Sequence, residues 1–111
     1  MSFELIATAF FRREAKRLAK KHRSLKDDLA ELAGNLAATP DSGTPLGNQC
    51  FKVRLAIRSK GKGKSGGARV ITRVMSDERR VYLLAIYDKS EIENISDQEL
   101  KQIIAELEAG E

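Results

Sequence analysis

Residues 50–87, CFKVRLAIRSKGKGKSGGARVITRVMSDERRVYLLAIY, decide the fold. Phe51, Val53, Leu55 and Ile57 alternate with Lys52, Arg54, Ala56 and Arg58, the period of a half-buried strand with one apolar and one cationic face. Ala68 to about Met75 alternates again, setting Ala68, Val70, Thr72 and Val74 against Arg69, Ile71, Arg73 and Met75. Ser76-Asp77-Glu78-Arg79 reads as a turn, and Val81 to Tyr87 is a nearly continuous apolar run that suits a central strand covered on both sides. Strands joined this closely are antiparallel. If the apolar face of the first strand meets helices, Lys52 and Arg54 point out of the opposite face, with Arg69 and Arg73 beside them. Directly opposite positions lie about 5 Å apart and diagonal ones about 8 Å, so a separation of Lys52 from Arg69 well beyond ~12 Å would undo this cluster.

Upstream, Phe3 to Ile6 is a short β-prone run. Thr8 is placed to cap a helix whose stripe is Phe11, Ala15, Leu18 and His22, with Arg12, Arg13, Lys16, Lys20 and Lys21 on its other faces. Ser24 and Asp27 offer a capping-box-like start for a second helix, with Leu25, Leu29, Leu32 and Leu36 as its stripe and an end near Thr39-Pro40. The short link makes the two an antiparallel hairpin. Residues 40–49, PDSGTPLGNQ, carry both prolines and read as a loop. Downstream, Ser96 and Glu99 form a capping box for a last helix with Leu100, Ile103, Ile104 and Leu107 on one side. The expected fold is therefore α+β: an N-terminal strand and helical hairpin packed on a small antiparallel sheet, with a C-terminal helix.

The chain has 111 residues, 41% hydrophobic and 32% charged, which fits one globular domain over 1–111 and excludes a multidomain enzyme or a disordered tail. The formal charge of +4 is segregated: from Ser42 to Ser76 there is no Asp or Glu, while Lys52, Arg54, Arg58, Lys60, Lys62, Lys64, Arg69 and Arg73 contribute eight cations. Residues 77–111 are net negative, ten acidic against four basic side chains. A polyanion would meet the middle of the chain first. The N-terminus lacks the pattern of a secretory signal, no apolar run suits a membrane span, Cys50 is the single cysteine and His22 the single histidine. Neither an internal disulfide nor a structural zinc site is expected, and the expected compartment is the cytoplasm.

Residues 59–67, SKGKGKSGG, imitate the end of a phosphate-binding loop, but position 58 is arginine where glycine is needed and the loop leads into a strand rather than a helix. What remains is either a solvated hairpin tip or a mobile cationic finger on a nucleic-acid backbone. His22 reads as packed or facing a helix dipole, and Cys50 as a small buried hydrophobe. Tyr87-Asp88-Lys89 closes the last strand with a phenol, a carboxylate and an ammonium. RNA can be cut without metal or histidine where a base takes the 2′-hydroxyl proton, cations stabilise the phosphorane and an acid protonates the departing 5′-oxygen. Crowding by other cations lowers a lysine's pKa toward the range of a base, and arginine grips phosphate in a fixed fork. The absence of aromatic platforms on the cationic face argues against a stacking module for single strands.

CFKVRLAIRSKGKGKSGGARVITRV, RRVYLLAIYDKSE and the closing SDQELKQIIAEL resemble the RelE superfamily of type II toxins, and within it the HigB-like subgroup. The likeness is strong over about the last 60 residues and is one of pattern in the helical hairpin. It implies the fold derived above and a toxin that cleaves messenger RNA on the ribosome, needs no metal or cofactor, and is neutralised by a cognate antitoxin through which alone it meets operator DNA. Carried over by position, it makes Lys52 a base or phosphate ligand and Arg54 and Arg69 phosphate clamps, with Tyr87 and Lys89 on the leaving-group side. Arg73 is taken as a flanking phosphate contact, and the charge pattern adds Arg58, Lys60, Lys62, Lys64, Arg12, Arg13 and Lys16 as further contacts to RNA or ribosome. The chain departs from the family at Ile92-Glu93-Asn94, which lacks the tyrosine that well-known members carry there. Two other functions remain open: a ParE-like gyrase inhibitor acting by binding, and an inactive RNA-binding or regulatory module.

Overall fold

The computed structural model describes residues 2–61, 63, 66–92 and 94–110. Its elements run β1 (Glu4–Ala7), α1 (Ala9–Lys21), α2 (Leu25–Ala38), β2 (Thr44–Gly47), β3 (Cys50–Leu55), β4 (Ala68–Met75), β5 (Arg80–Asp88) and α3 (Asp97–Glu108). The sheet order is β1-β5-β4-β3-β2. The neighbours β2–β3, β3–β4 and β4–β5 are antiparallel, whereas β1 lies parallel to β5, so the α+β sheet is mixed rather than wholly antiparallel. β1 takes this direction because the helical hairpin carries the chain away before it returns through the β3–β5 meander.

Local chemistry starts and stops the helices. The Thr8 hydroxyl accepts from the Phe11 N–H at 3.2 Å and itself donates to the Leu83 carbonyl, tying the start of α1 to β5. Ser96 and Glu99 form the reciprocal capping box of α3. Ser24 stands at the N-cap of α2 but does not cap it with its side chain. Its hydroxyl donates to Asp28 instead and accepts from the Ser59 N–H, because the buried Asp28 carboxylate needs that donor together with the Arg58 N–H.

β2 lies where residues 40–49 read as a loop. Gly47 pairs with Cys50 across Asn48 and Gln49, whose φ angles of 54° and 66° make a two-residue type I′ hairpin. Pro45 fits because β2 is the outer strand of the sheet. β3 ends at Leu55, so Ile57, although fully buried, follows the strand rather than belonging to it. Gly67 is required by packing: a Cβ there would stand 2.0 Å from the Leu55 carbonyl oxygen.

Two cores lie on opposite faces of the sheet. Under the helical hairpin, Phe11, Leu18, Leu25, Leu32 and Leu36 meet Val53, Leu55, Ala68, Val70 and Ile86. On the other face, Leu100 and Ile104 of α3 meet Cys50, Ile71, Leu84, Ala85 and Tyr87. A bulge in β5 at the Ile71/Thr72 step lets both Leu84 and Ala85 enter this second core. The face expected to be open and basic is thus partly covered by α3, and Arg69, expected to be exposed, is buried at 4%.

Candidate nucleic-acid interface

Strand register brings the cationic residues together. Arg54 pairs with Arg69 and Arg69 with Tyr87, one row across β3, β4 and β5. Lys52 is opposite Ile71, on the diagonal from Arg69 at about 8 Å. Arg73 continues the face two residues along β4, opposite Cys50 on one side and Tyr82 on the other. Alternation along three paired strands therefore sets Lys52, Arg54, Arg69, Arg73 and Tyr87 on one rigid surface. Lys89 follows directly after β5, its N–H donating to the Gly67 carbonyl at 3.1 Å.

The environments along this surface differ. Arg54 is exposed and Lys52 half-buried, with its ammonium donating to the Asn94 amide oxygen at 3.1 Å. Arg69 lies under cover and donates to the Ala68 carbonyl. Arg73 is mostly buried, and both its terminal nitrogens donate to Glu108 of α3 at 3.3 Å. Burial raises the Tyr87 pKa, against smaller lowering effects of the Ile95 backbone and Arg69, so the phenol keeps its proton at neutral pH. The Cys50 thiol is also raised by burial, only partly offset by Arg73, which makes it a packed and unreactive side chain.

Other expected contacts lie elsewhere. Arg58 pairs with Asp28 and Glu31 of α2, beside a cavity of about 280 Å³ floored by Leu32, Leu36, Val53 and Leu55 on the hairpin side. Lys60 is not a free cation of a mobile finger: it is 12% exposed and donates to Asp88 at 2.8 Å. Lys62 and Lys64 lie outside the described residues. Arg12, Arg13 and Lys16 are exposed on α1; Arg12 donates to the Ala7 carbonyl and the Arg13 guanidinium sits over the Phe10 ring.

The sequence reading missed a polar lock beside this surface. Asp88, 1% exposed, accepts from Lys60, from the N–H and hydroxyl of Ser90, and stands 2.8 Å from His22 Nε2. Burial by itself would raise the Asp88 pKa, but these donors outweigh it and hold the carboxyl well below the usual range. The lock ties the end of α1, the turn at Arg58–Lys60 and the end of β5 together. Its signal in the sequence is a carboxylate ending an apolar strand; Ser90 is local, but Lys60 and His22 are not.

The sequence model of the family described as "RelE toxin of RelE / RelB toxin-antitoxin system" matches residues 7–108. Among solved structures, a mutant of Escherichia coli toxin RelE in the free state is 17% identical, covering 84% of this chain and 90% of that one at a TM-score of 0.61. The toxin–antitoxin complex RelBE2 of Mycobacterium tuberculosis matches at 22% identity, 79% and 99% coverage and a TM-score of 0.59. The isolated E. coli RelE toxin matches at 15% identity, 94% and 98% coverage and a TM-score of 0.51. These likenesses show the fold, and the family match over nearly the whole chain shows the membership. The chain belongs to the RelE family of type II toxin–antitoxin toxins.

Proposed function

We propose that this toxin is a ribosome-dependent endoribonuclease that cleaves messenger RNA at the Lys52–Arg54–Arg69–Tyr87 surface. The observation that carries the reading is the cross-strand row Arg54, Arg69, Tyr87, with Lys52 on the diagonal. In that reading the 2′-oxygen bonds to phosphorus as the bond from phosphorus to the 5′-oxygen breaks. Lys52 takes the 2′ proton or grips a phosphate oxygen, and Arg54 and Arg69 stabilise the charge that builds on phosphorus. Tyr87, protonated at neutral pH, supplies the leaving 5′-oxygen with a proton, with Lys89 beside it as a second donor. Arg73 holds a flanking phosphate. The residues that would bind substrate sit on strands rather than loops, which favours precise placement over adaptable contact.

The same reading gives the toxin a cognate antitoxin as partner, binding apolar surface and meeting the cations with acidic residues. RelBE2 provides the precedent in a related complex. The test is cell-free translation with the purified protein, the ends of the message being mapped by primer extension with and without ribosomes. Cuts that appear only with ribosomes, and vanish in Lys52→Ala, are the expected result. An intact message with unimpaired translation would overturn the nuclease reading and direct attention to gyrase supercoiling.

A further inference from the structure

The most acidic element of the fold lies on the most basic face. α3 carries Asp97, Glu99, Glu106 and Glu108 against Lys101, and its apolar stripe is seated on Ile71, Leu84, Ala85 and Tyr87. Its two ends reach the proposed phosphate-gripping groups. Asn94, ahead of the helix, accepts from Lys52 Nζ at 3.1 Å, and Glu108, in its last turn, accepts from both terminal nitrogens of Arg73 at 3.3 Å. A carboxylate on a guanidinium and an amide oxygen on an ammonium are the contacts that phosphate oxygens would make there.

This closed arrangement leaves a polar atom on the same face unserved. Arg73 Nε is buried without a hydrogen-bond partner among the described residues, although a buried polar group is ordinarily satisfied. It lies on the face that α3 covers, and an anion in the place of Glu108 would provide acceptors to the whole guanidinium. The Ile92 side chain, exposed at 45%, and the small cavity of about 80 Å³ between Phe10, Tyr87, Ile92, Ile95 and Ile103 mark an incomplete seal between this segment and the sheet.

From these contacts we infer that the C-terminal helix is a built-in competitor for the anion site: Glu108 and Asn94 occupy Arg73 and Lys52 until a phosphate backbone displaces them. The inference rests on the surface described under the proposed function and adds a control on it. α3 remains part of the folded protein, and the exchange needs only its end contacts to open.

The test uses the full chain and a short, labelled 2′-O-methyl RNA, which binds but lacks the 2′-hydroxyl needed for cleavage, read by fluorescence anisotropy. Glu108→Gln keeps size and hydrogen bonding but removes the charge on Arg73. Glu106→Gln makes the same change of net charge on the same helix at a carboxylate that, among the described residues, accepts only from Gln102. Glu108→Gln is expected to tighten binding about two- to fivefold beyond Glu106→Gln, the range set by loss of a part-exposed ion pair. Equal affinities for the two variants would overturn the competitor. Lys52→Ala separates that outcome from failure of the site: weakened binding in Lys52→Ala with no gain in Glu108→Gln removes the competitor alone, whereas unchanged binding in Lys52→Ala removes the site and the competitor together.

Discussion

The two faces of the sheet are built from the same strands and solve different problems. Beneath the helical hairpin, Leu18, Leu25, Leu36 and Val70 have no exposed surface and nearly every contact is apolar. Beneath α3, the core of Ile71, Leu84 and Ala85 shares its face with Lys52, Arg54, Arg69 and Arg73. The first arrangement is what a stable fold requires. The second gives up an apolar face where the protein presents its charge, a pattern expected of a surface shaped by ligand rather than by core.

The difference is open to a direct attack on stability. Leu18→Ala, at a fully buried position under the hairpin, is expected to cost about 3–5 kcal/mol in denaturant unfolding. Leu100→Ala, on the helix covering the cationic face, should cost about half of that, since the site can collapse and the helix can lift locally. Equal losses would mean that the two faces are one cooperative core and that α3 is not the weaker cover.

A second pair of variants separates binding from folding along a single row of the sheet. Arg54→Ala and Arg69→Ala are both expected to lower cleavage in the ribosome assay about a hundredfold, the scale of removing one donor that stabilises transition-state charge. They should differ in stability. Arg54 is exposed and its loss should move unfolding by less than ~0.5 kcal/mol, whereas Arg69 is buried and its loss should cost about 1–3 kcal/mol. The expectation from sequence that both positions are solvent-facing fails at Arg69, and a thermal melt of the two proteins reads that failure.

Most of the frame was legible because it depends on local periodicity. The alternation in residues 51–55 and 68–75, the Thr8 cap and the Ser96–Glu99 capping box each specify an element without reference to anything distant. Alternation also put Lys52 with Arg54, and Arg69 with Arg73, on one face of their own strands, whereas the sharing of one face by the two pairs depends on a register, Arg54 opposite Arg69, that the sequence does not give. What escaped depends on contacts far apart in sequence. The parallel pairing of β1 with β5 joins Glu4 to Arg80, the burial of Arg69 comes from a helix that begins at Asp97, and Lys60 leaves the solvent where it and His22 converge on Asp88. β2 was hidden by its own composition: prolines and glycines that ordinarily mark a loop here form an edge strand, and Asn48 at a positive φ was the available hint of its hairpin.

The smallest expected effect comes from two carboxylates three residues apart. Asp88 and Glu91 both have pKa values depressed in the folded protein, Glu91 to about 2 chiefly through Arg17 and then Lys21, and Asp88 through Lys60, Ser90 and His22 against the cost of its burial. A folded pKa below the unfolded value means that each stabilises the protein above about pH 4 and that this contribution fades as pH falls through the folded pKa. Their response to salt should differ. Glu91 is partly solvated and its pairs at 3.0 and 2.7 Å are open to counterions, so Glu91→Gln is expected to cost under ~1 kcal/mol at low salt and almost nothing at 1 M. The Asp88 lock is 1% exposed and excludes those ions, so the acid-labile part of wild-type stability that survives high salt should belong to Asp88. Unfolding midpoints measured from pH 6 to pH 3 in low and high salt, for wild type and Glu91→Gln, resolve the two. If high salt abolished the whole acid dependence, the lock would be as wet as the surface pair, and the end of β5 would be looser than its burial implies.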